Sequence, residues 1–378
     1  MKAHVTKKAL AGALATLAHV IPARSSNPTI TALHVLPHAG GLTLSGTNLE
    51  LDLRLDVPAE VDAGGEALEA FTVPAHLFKE VVTSLGGELV ELEVRKQARG
   101  EIAIRAGGSD FKLQLADVSL YPPLSFVSSA DLTLPVPDLL GAVASVRYAS
   151  STENFQAVMR AVCFEFRGGA LTLVGSDGYR IAYRTLPQGA AARGDILVPA
   201  RTLDDVARAL AGEKEVSLTL PDPQDPARAA LLTLRSERVT LRLKLMDGDF
   251  PDWRRPIPGT FSHELTLSAA RLAEGVNRVA VLADKNANNR VNLRIEPGLM
   301  PKLHLSAEGD YGRATDVMDV ACTGDETRAV AYNARHLLDA LGKMEGEVSF
   351  RIGAGSPVAV LNSAGEYAPH AVCVSLRV

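Results

Sequence analysis

Three stretches of the chain share one pattern: AHVTKKALAGALATLAHV at residues 3–20, LTLPVPDLLGAVASVRYA at residues 132–149 and LTLSAARLAEGVNRVAVL at residues 265–282. Each begins with the alternation of a short strand and continues with the apolar stripe of an amphipathic helix. The stripe consists, copy by copy, of Leu10, Leu14 and Leu17; Leu139, Val143 and Val146; and Leu272, Val276 and Val279. The chain is therefore built on an internal repeat of about 130 residues.

Two further units recur in the same order within each repeat, which a chance similarity of one strand–helix pattern does not explain. A second strand–helix unit reads FTVPAHLFKEVVTSL from Phe71, ILVPARTLDDVARAL from Ile196 and AVAYNARHLLDALGKM from Ala329. A hairpin signature, in which a strand breaks into a polar turn and resumes, reads GLTLSGTNLELDL from Gly41, ALTLVGSDGYRIAY from Ala170 and KLHLSAEGDYGRAT from Lys302.

These repeats predict an α+β fold of three similar domains, each made of two strand–helix halves with antiparallel sheets. We place the domains at residues 1–127, 128–256 and 257–378, because Tyr121-Pro122-Pro123 and Phe250-Pro251 close the first two copies. Two helices per domain are expected, at residues 7–20, 75–85, 136–148, 200–211, 269–282 and 334–344.

Composition narrows the class of protein. The 378 residues are 47% hydrophobic, enough to bury several cores, and no apolar run is long enough to cross a membrane. The N-terminus lacks the apolar core of a signal peptide. The three cysteines are far apart and form neither a disulfide framework nor a metal motif. We therefore expect a soluble, cytoplasmic protein.

Charge is distributed unevenly along the chain. The net charge is −5, which argues against a protein that grips DNA over its whole surface. The predicted helices nevertheless carry an excess of basic residues. Taken alone, that excess is equally typical of an ordinary solvated helix face and of a face that meets a polyanion. Because the domains are repeated, we favour a layer of helices that faces a polyanion without reading its sequence. The basic helix residues are Lys7, Lys8, Lys79, Arg147, Arg201, Arg208, Arg271, Arg278, Arg335 and Lys343.

The sequence offers no catalytic or metal-binding constellation. GSDGYR at Gly175 has neither a nucleophile elbow nor a phosphate loop around it, and the other repeats place a hairpin turn there. His34 and His38 lie in a strand-and-turn stretch without a third ligand. Cys163 stands in an apolar strand, where a buried, inert thiol is the default. We expect a protein that is not an enzyme and has no metal or cofactor.

Five segments resemble the bacterial β sliding clamp, and the resemblance extends over the whole chain. They are the strand–helix unit that starts at Met1-Lys2, SGTNLE at 45–50, GSDGYRIA at 175–182, DGDFPDWRRPIP at 247–258 and YNARHLLDAL at 332–341. The resemblance implies a head-to-tail homodimer whose six domains close a ring, with twelve helices around duplex DNA of any sequence. It also implies an ATPase that opens the ring, association with the nucleoid, and short peptide motifs that tether the replicative polymerase, the clamp loader and repair polymerases.

The resemblance further implies a peptide pocket between the second and third domains, with an apolar groove for Leu and Phe anchors. Two features depart from the family: the chain ends in VSLRV, without the Met and Pro that are frequent there, and Tyr179 stands where His is common. Both changes predict a shifted partner preference. The implied pocket residues are Met159, Ser176, Gly178, Tyr179, Arg180, Ile181, Pro251, Arg255, Asn333, His336, Val358, Val372, Cys373, Val374, Ser375 and Leu376.

The same resemblance implies a dimer interface and one further DNA contact. Phe111 and Leu113 of the first domain would meet Val281 and Leu282 on the third domain of the other subunit. The alternative is that both pairs belong to the cores of their own domains. Arg24, just after the first helix, matches a basic residue that touches DNA in the family, although a loop arginine is often merely solvated.

Two other functions remain open at this point. One is a protein-interaction scaffold of three repeated domains that does not encircle DNA. Salt-dependent retention on circular DNA, lost when the DNA is linearised, would distinguish a clamp from such a scaffold. The other is a DNA-acting enzyme, which would require a clustered acid or metal site.

Overall fold

The structure is a computed structural model that describes residues 1–65, 67–95, 100–153, 157–190, 194–226, 228–356 and 358–376. Up to the end of the first repeat, the strands and helices are β1 Lys2–Thr6, α1 Lys7–Val20, β2 Ala32–His38, β3 Gly41–Thr47, β4 Leu51–Pro58, β5 Glu60–Asp62, β6 Phe71–Pro74, α2 Ala75–Ser84, β7 Leu89–Arg95, β8 Glu101–Ala106 and β9 Ser109–Gln114.

The second repeat contains β10 Leu132–Pro135, α3 Val136–Val146, β11 Ala161–Arg167, β12 Ala170–Ser176, β13 Arg180–Leu186, β14 Ile196–Pro199, α4 Thr202–Ala209, β15 Glu215–Thr219, β16 Leu231–Arg235 and β17 Val239–Lys244. The third contains β18 Phe261–Ser268, α5 Ala269–Ala280, β19 Arg290–Glu296, β20 Lys302–Gly309, β21 Gly312–Asp319, β22 Ala321–Thr323, β23 Arg328–Asn333, α6 Ala334–Leu341, β24 Glu347–Gly353, β25 Ala359–Ser363 and β26 His370–Cys373.

The chain divides into two compact units, and the boundary between them splits the middle repeat. Unit 1 comprises Met1–Val136 and Arg201–Leu245, and unit 2 comprises Pro137–Ala200 and Met246–Val378. Each unit therefore combines one terminal repeat with about half of the central one. The domain boundaries at 127 and 256 stay a prediction, since the units follow the sheets and not the repeats.

Unit 1 holds two antiparallel sheets. One has the order β5-β1-β7-β8-β9, and the other has the order β10-β15-β16-β17-β4-β3-β2-β6. The second sheet crosses the repeat boundary where β17 pairs with β4, with Leu241 opposite Leu53. Helix α1 buries Leu10, Leu14 and Leu17, as its predicted stripe requires. Its N-cap is Thr6, whose side chain accepts a hydrogen bond from a first-turn amide.

Unit 2 repeats this construction. One sheet has the order β14-β11-β12-β13-β26-β25-β24-β18-β22, and the other has the order β21-β20-β19-β23. Helix α5 begins at the N-cap Ser268 and buries Leu272, Val276 and Val279. Gly275 lies on the same face, where a Cβ atom would stand 2.5 Å from the Met318 Cε. A larger residue there would displace the side-chain ends of Met318 and Leu305, because the helix packs closely onto strands β20 and β21.

The predicted fold class is confirmed. The described residues contain six α-helices, and each lies within a predicted window or matches it. Helix α3 is shorter than expected, because its last turn, Arg147–Ala149, is a 3-10 helix. The three predicted hairpins are β3–β4, β12–β13 and β20–β21. His34 lies on a strand, as predicted, and Cys163 is a buried thiol whose pKa burial raises to about 12.

No helix in the described part of the chain combines the length and apolarity that a membrane span requires.

Candidate functional site

A cavity of about 420 Å³ lies in unit 2 beside the turn of the β12–β13 hairpin. The C-terminal tail forms one wall, because the amide of Val374 donates to the carbonyl of Tyr179 at 3.1 Å and the amide of Leu376 donates to the carbonyl of Ala331 at 2.8 Å. The side chain of Tyr179 is 69% exposed at the mouth. The tail thus connects a hairpin of the second repeat to a strand of the third.

The hairpin turn is fixed by Asp177. Its Oδ1 accepts hydrogen bonds from the amides of Tyr179 and Arg180 at 2.9 and 3.0 Å, which is an Asx turn. Gly178 adopts a left-handed conformation with φ of 88°, which favours glycine. The Ser176 hydroxyl donates to the carbonyl of Arg180 at 2.9 Å and closes the turn. The sequence GSDGYR therefore presents Tyr179 outward on a rigid loop.

Arg180 is held by groups from three separate segments. Its guanidinium donates to Asp177 Oδ2 at 2.9 Å, to Asp339 Oδ2 on α6 at 2.6 Å and to the carbonyl of Tyr148 at 2.9 Å. The same group lies over the Tyr148 ring, 5.4 Å from its centroid. Arg180 therefore acts mainly within the protein, because most of its donors are already engaged there.

Replacing Arg180 with methionine is expected to lower the free energy of unfolding by about 2–3 kcal/mol, because the half-buried carboxylate of Asp177 loses its charged partner. Asp339 is half exposed and contributes less. Urea unfolding checks this. The control is Arg184→Met on the same strand, whose single exposed hydrogen bond to Tyr367 should matter by less than about 1 kcal/mol. Equal effects of the two variants would contradict the network.

His336 and Asn333 complete the cavity from the start of α6. Asn333 is the N-cap, and its Oδ1 accepts from the amide of Arg335 at 2.9 Å. Burial, and next the charge of Arg180, lower the pKa of His336 below its ordinary value of 6.5. The imidazole is therefore neutral at physiological pH and can both donate and accept a hydrogen bond.

The lowered pKa of His336 makes stability depend on pH. Above pH 6.5 the imidazole is neutral in the folded and unfolded chains; as the pH falls below 6.5, the unfolded chain takes up a proton first. The free energy of unfolding is therefore expected to fall from pH 6.5 down to the folded-state pKa. Urea unfolding of His336→Gln should show a shallower slope. The buried His34 and His370 leave a residual slope, and an unchanged slope would contradict the prediction.

A second group of predicted pocket residues lies on the face of the nine-stranded sheet. Ile181, Val358 and Val372 are buried in one apolar cluster together with Trp253. Pro251 and Arg255 are exposed beside them, and Met159 is half buried. These residues form an apolar surface under the connector that follows β17. They do not line the cavity of about 420 Å³.

Cys373 does not belong with this group. The residue is 1% exposed and packs in the core of the third repeat, the cluster that contains Tyr332 and Phe350. Burial raises the pKa of its thiol to about 12. The expectation that Cys373 contacts a peptide therefore needs correction, because successive residues of a strand face opposite sides of the sheet.

The structure brings together seven of the sixteen predicted pocket residues around the cavity: Tyr179, Arg180, Asn333, His336, Val374, Ser375 and Leu376. Ser176 and Gly178 support the turn from behind.

The predicted DNA-facing cations differ in how free they are. Arg278 donates to Asp316 at 2.6 Å, Arg208 pairs with Asp205 at 2.7 Å, and Lys7 donates to the Leu85 carbonyl. Arg147 donates to the Ala200 carbonyl at 3.0 Å. Within the described ranges, the cations without a carboxylate partner are Lys8, Arg24, Lys79, Arg201, Arg271, Arg335 and Lys343. This last group is free to meet an external anion.

The four predicted interface residues are unequally exposed. Val281, just after α5, is 79% exposed, Leu282 is half buried and Phe111 on β9 is 38% exposed. Leu113 is only 9% exposed and belongs largely to its own sheet. In the described residues β9 and β21 are edge strands, so each presents unpaired backbone groups to a possible partner.

Comparison with known proteins identifies the family. The family models of the DNA polymerase III beta subunit match in order: the N-terminal domain over residues 1–125, the central domain over residues 133–252 and the C-terminal domain over residues 254–377. The chain belongs to this family. The three matches coincide with the three sequence repeats, so the prediction of a three-domain clamp fold is confirmed.

Individual relatives agree with this assignment. The beta sliding clamp of Streptomyces coelicolor is 29% identical over 352 residues, which are 92% of this chain and 90% of the relative. That of Caulobacter vibrioides is 27% identical over 360 residues, or 93% of each. The solved beta subunit of Streptococcus pyogenes superposes with a TM-score of 0.90 at 18% identity, and the griselimycin-bound Pseudomonas aeruginosa clamp with 0.89 at 22%. Each superposition covers 100% of this chain and 100% of the solved chain.

The family consists of processivity factors without catalytic activity, so the prediction that the chain is not an enzyme is confirmed. The residues described here include no group of three or more His, Cys, Asp or Glu side chains that could hold a metal ion.

Sequence reasoning missed part of the cavity wall. The missed residues are Tyr148, Ser150, Ser151, Thr152, Glu153, Asp177 and Asn288. Asp177 carried a signal, because an aspartate before Gly in a hairpin turn is typical of an Asx turn. Asn288 adopts a left-handed conformation with φ of 59°, but nothing in its local sequence indicated that its loop reaches the cavity.

Proposed function

We propose that this chain is a DNA sliding clamp. Two copies associate head to tail, close a ring around duplex DNA of any sequence, and tether the replicative polymerase and other replication and repair proteins. The observation that carries the proposal is the match of three clamp-family domains, in order, to the three repeats of the chain. A clamp works on the chromosome, so we place the protein in the cytoplasm at the nucleoid.

The charge pattern suits a ring that slides. Each phosphate contact of a DNA-binding protein releases counterions, and many such contacts make binding tight and immobile. Seven of the predicted DNA-facing cations lack a carboxylate partner among the described residues, whereas the whole chain carries −5. This arrangement supports loose electrostatic attraction along the helices. Retention on DNA then comes from topology, because a closed ring leaves DNA only at an end or by opening.

The groove of unit 2 is the part of the chain that we assign to partner peptides. The partly buried side chains of Val158, Met246 and Phe250, which pack on the apolar cluster of unit 2, supply a surface for Leu and Phe anchors. The neighbouring cavity adds polar groups from Tyr179 and His336 that can orient a peptide backbone. The absence of Met in the tail leaves a stiffer wall than the adaptable thioether provides.

The first test is the solution mass by light scattering at micromolar concentration. A mass of about twice 40.0 kDa supports the dimeric ring. A strict monomer would rule out the closed ring. It would point to the interaction scaffold, an alternative that the family match does not support.

The second test is retention on DNA. The protein is loaded by a clamp-loading ATPase onto nicked circular DNA, and the DNA is then cut once. We expect retention at high salt on the circle and release after cutting, because only topology resists salt. The control is cut DNA whose two ends are blocked by bound protein, which should keep the clamp. Equal loss from circles and open linear DNA would contradict encirclement.

A further inference from the structure

The hairpin turn of the first repeat has the same construction as the turn beside the peptide groove. The Oδ1 of Asn48 accepts from the amides of Glu50 and Leu51 at 3.0 and 2.8 Å, as Asp177 does in the second repeat. Leu49 is left-handed with φ of 74°, like Gly178 at the equivalent place. The two repeats therefore share backbone geometry at this position and differ in side chains.

The connector that follows each repeat shows what differs. In the second repeat, Trp253 is 8% exposed and packs on Tyr183, with ring centroids 4.7 Å apart. In the first repeat, Leu124 stands at the position equivalent to Trp253 and Arg54 at the position equivalent to Tyr183, because the same number of residues separates the members of each pair. Neither replacement is aromatic, so neither fills the space that this pair of rings occupies. A cavity of about 190 Å³ remains between the sheet of unit 1 and its connector.

The cavity has a polar floor and an apolar roof. His34, Ser45 and Arg54 stand in one row across strands β2, β3 and β4, because His34 pairs with Ser45 and Ser45 pairs with Arg54. Tyr121 and Leu124 cover the row from the connector. Tyr121 lies against His34 at 5.3 Å between ring centroids.

Two contacts hold the roof in place, so the cavity is preformed. The guanidinium of Arg242 donates to the carbonyl of Ser125 at 2.7 Å and lies 5.9 Å from the Phe126 ring centroid. The rim carries exposed apolar side chains, with Leu36 39% exposed and Val118 38% exposed. A preformed site requires little ordering when it binds.

The electrostatics favour an anion inside the cavity. The Nε of Arg54 is buried and has no hydrogen-bond partner within the described chain, and its ion pair with Asp56 is loose at 3.8 Å. Asp56 itself accepts from the Thr43 hydroxyl at 2.6 Å. No aspartate or glutamate lines the cavity. A buried donor without an acceptor is unfavourable, so a bound carboxylate would satisfy Arg54.

We propose that this cavity is a second docking site on the chain, for an extended peptide in which a large apolar side chain stands next to an acidic residue. The apolar side chain enters under Leu124, where the second repeat places its own Trp253. A cavity of about 150 Å³ suffices for a benzene ring, so about 190 Å³ accommodates one such side chain. The acidic residue binds Arg54, and the rim at Leu36 and Val118 contacts the flanking peptide.

The test uses the full chain and two fluorescein-labelled probes, acetyl-Glu-Trp-Glu-amide and acetyl-Gln-Trp-Gln-amide, titrated by fluorescence anisotropy. The acidic probe is expected to half-saturate below about 1 mM and to bind at least about tenfold more tightly than the neutral one. Leu124→Trp fills the cavity and should abolish binding of the acidic probe. Arg54→Met keeps the side-chain length and removes the charge, so it should weaken binding of the acidic probe about tenfold.

Several results would overturn the proposal. They are no binding to the unaltered chain at about 1 mM, equal binding of the two probes, and full binding to folded Leu124→Trp. If that variant does not fold, unchanged binding to Arg54→Met overturns it instead. Loss of binding in Arg255→Ala would place the probe in the groove of unit 2, and this also rejects the second site. None of these outcomes bears on ring formation, which the mass and DNA experiments test separately.

Discussion

Replacing Val281 and Leu282 together with aspartate is expected to convert the dimer into a monomer. Val281 is 79% exposed in the single chain, so its side chain is available to contact a partner. In the proposed ring, both residues meet Phe111 on the edge strand β9 of the other copy. Two carboxylates buried there without partners weaken association by about 4 kcal/mol or more, about a thousandfold in Kd.

Light scattering and sedimentation at micromolar concentration measure this effect, and the loss of retention on circular DNA should follow from it. The matched control is the double change of Leu299 and Met300 to aspartate. These two residues are also exposed, at 105% and 75%, but they lie in the β19–β20 loop, outside the proposed interface. The control should remain dimeric. A dimer that survives the Val281 and Leu282 change would refute the interface assignment.

The exposed fractions of Phe111 and Leu113, the two residues assigned to the other side of the interface, predict different effects of mutation. Phe111 is 38% exposed, whereas Leu113 is 9% exposed and already packs in its own sheet. A change at Phe111 should therefore act on association, and a change at Leu113 should act first on folding. Sequence alone could not make this distinction, because both residues point to the same side of one strand.

Local periodicity explains how much of the fold could be predicted. The stripe of Leu10, Leu14 and Leu17 and the hairpins recur three times, and both signals are short-range. Strand partners across repeats were not predictable. The pairing of Leu241 with Leu53 requires that β17 of the second repeat meets β4 of the first. That choice of partner strand is determined by packing over the whole sheet.

Some contacts of the predicted site residues are local in sequence, and others are not. Arg208 pairs with Asp205 three positions earlier on one helix, a spacing that sequence reveals. Arg180 pairs with Asp177 three positions earlier, but also with Asp339, far away in the chain, and no sequence pattern indicated the second contact. Cys373 could have been excluded, since its neighbour Val372 was assigned to the groove and strand alternation sends the two side chains to opposite faces.

Deleting Val374–Val378 is expected to weaken binding of partner peptides by about tenfold to a hundredfold while leaving the dimer intact. The tail contributes three side chains to the cavity, and its amides donate to the carbonyls of Tyr179 and Ala331. Removal opens one wall and releases the hairpin turn. The loss of two or three contacts, each about 1 kcal/mol, accounts for a change of that size.

The measurement is fluorescence anisotropy with a labelled pentapeptide that carries adjacent Leu and Phe. Deletion of residues 377–378 alone is the matched control, since both lie beyond Leu376, whose amide makes the last tail contact to Ala331. Arg255→Ala provides an independent variant, because Arg255 is exposed two residues after Trp253 of the apolar cluster and its loss leaves the tail in place. If the five-residue deletion and Arg255→Ala both bind the pentapeptide as the unaltered chain does, the groove of unit 2 is not the peptide site. Weakening in both, with the mass of the dimer unchanged, separates peptide docking from ring closure.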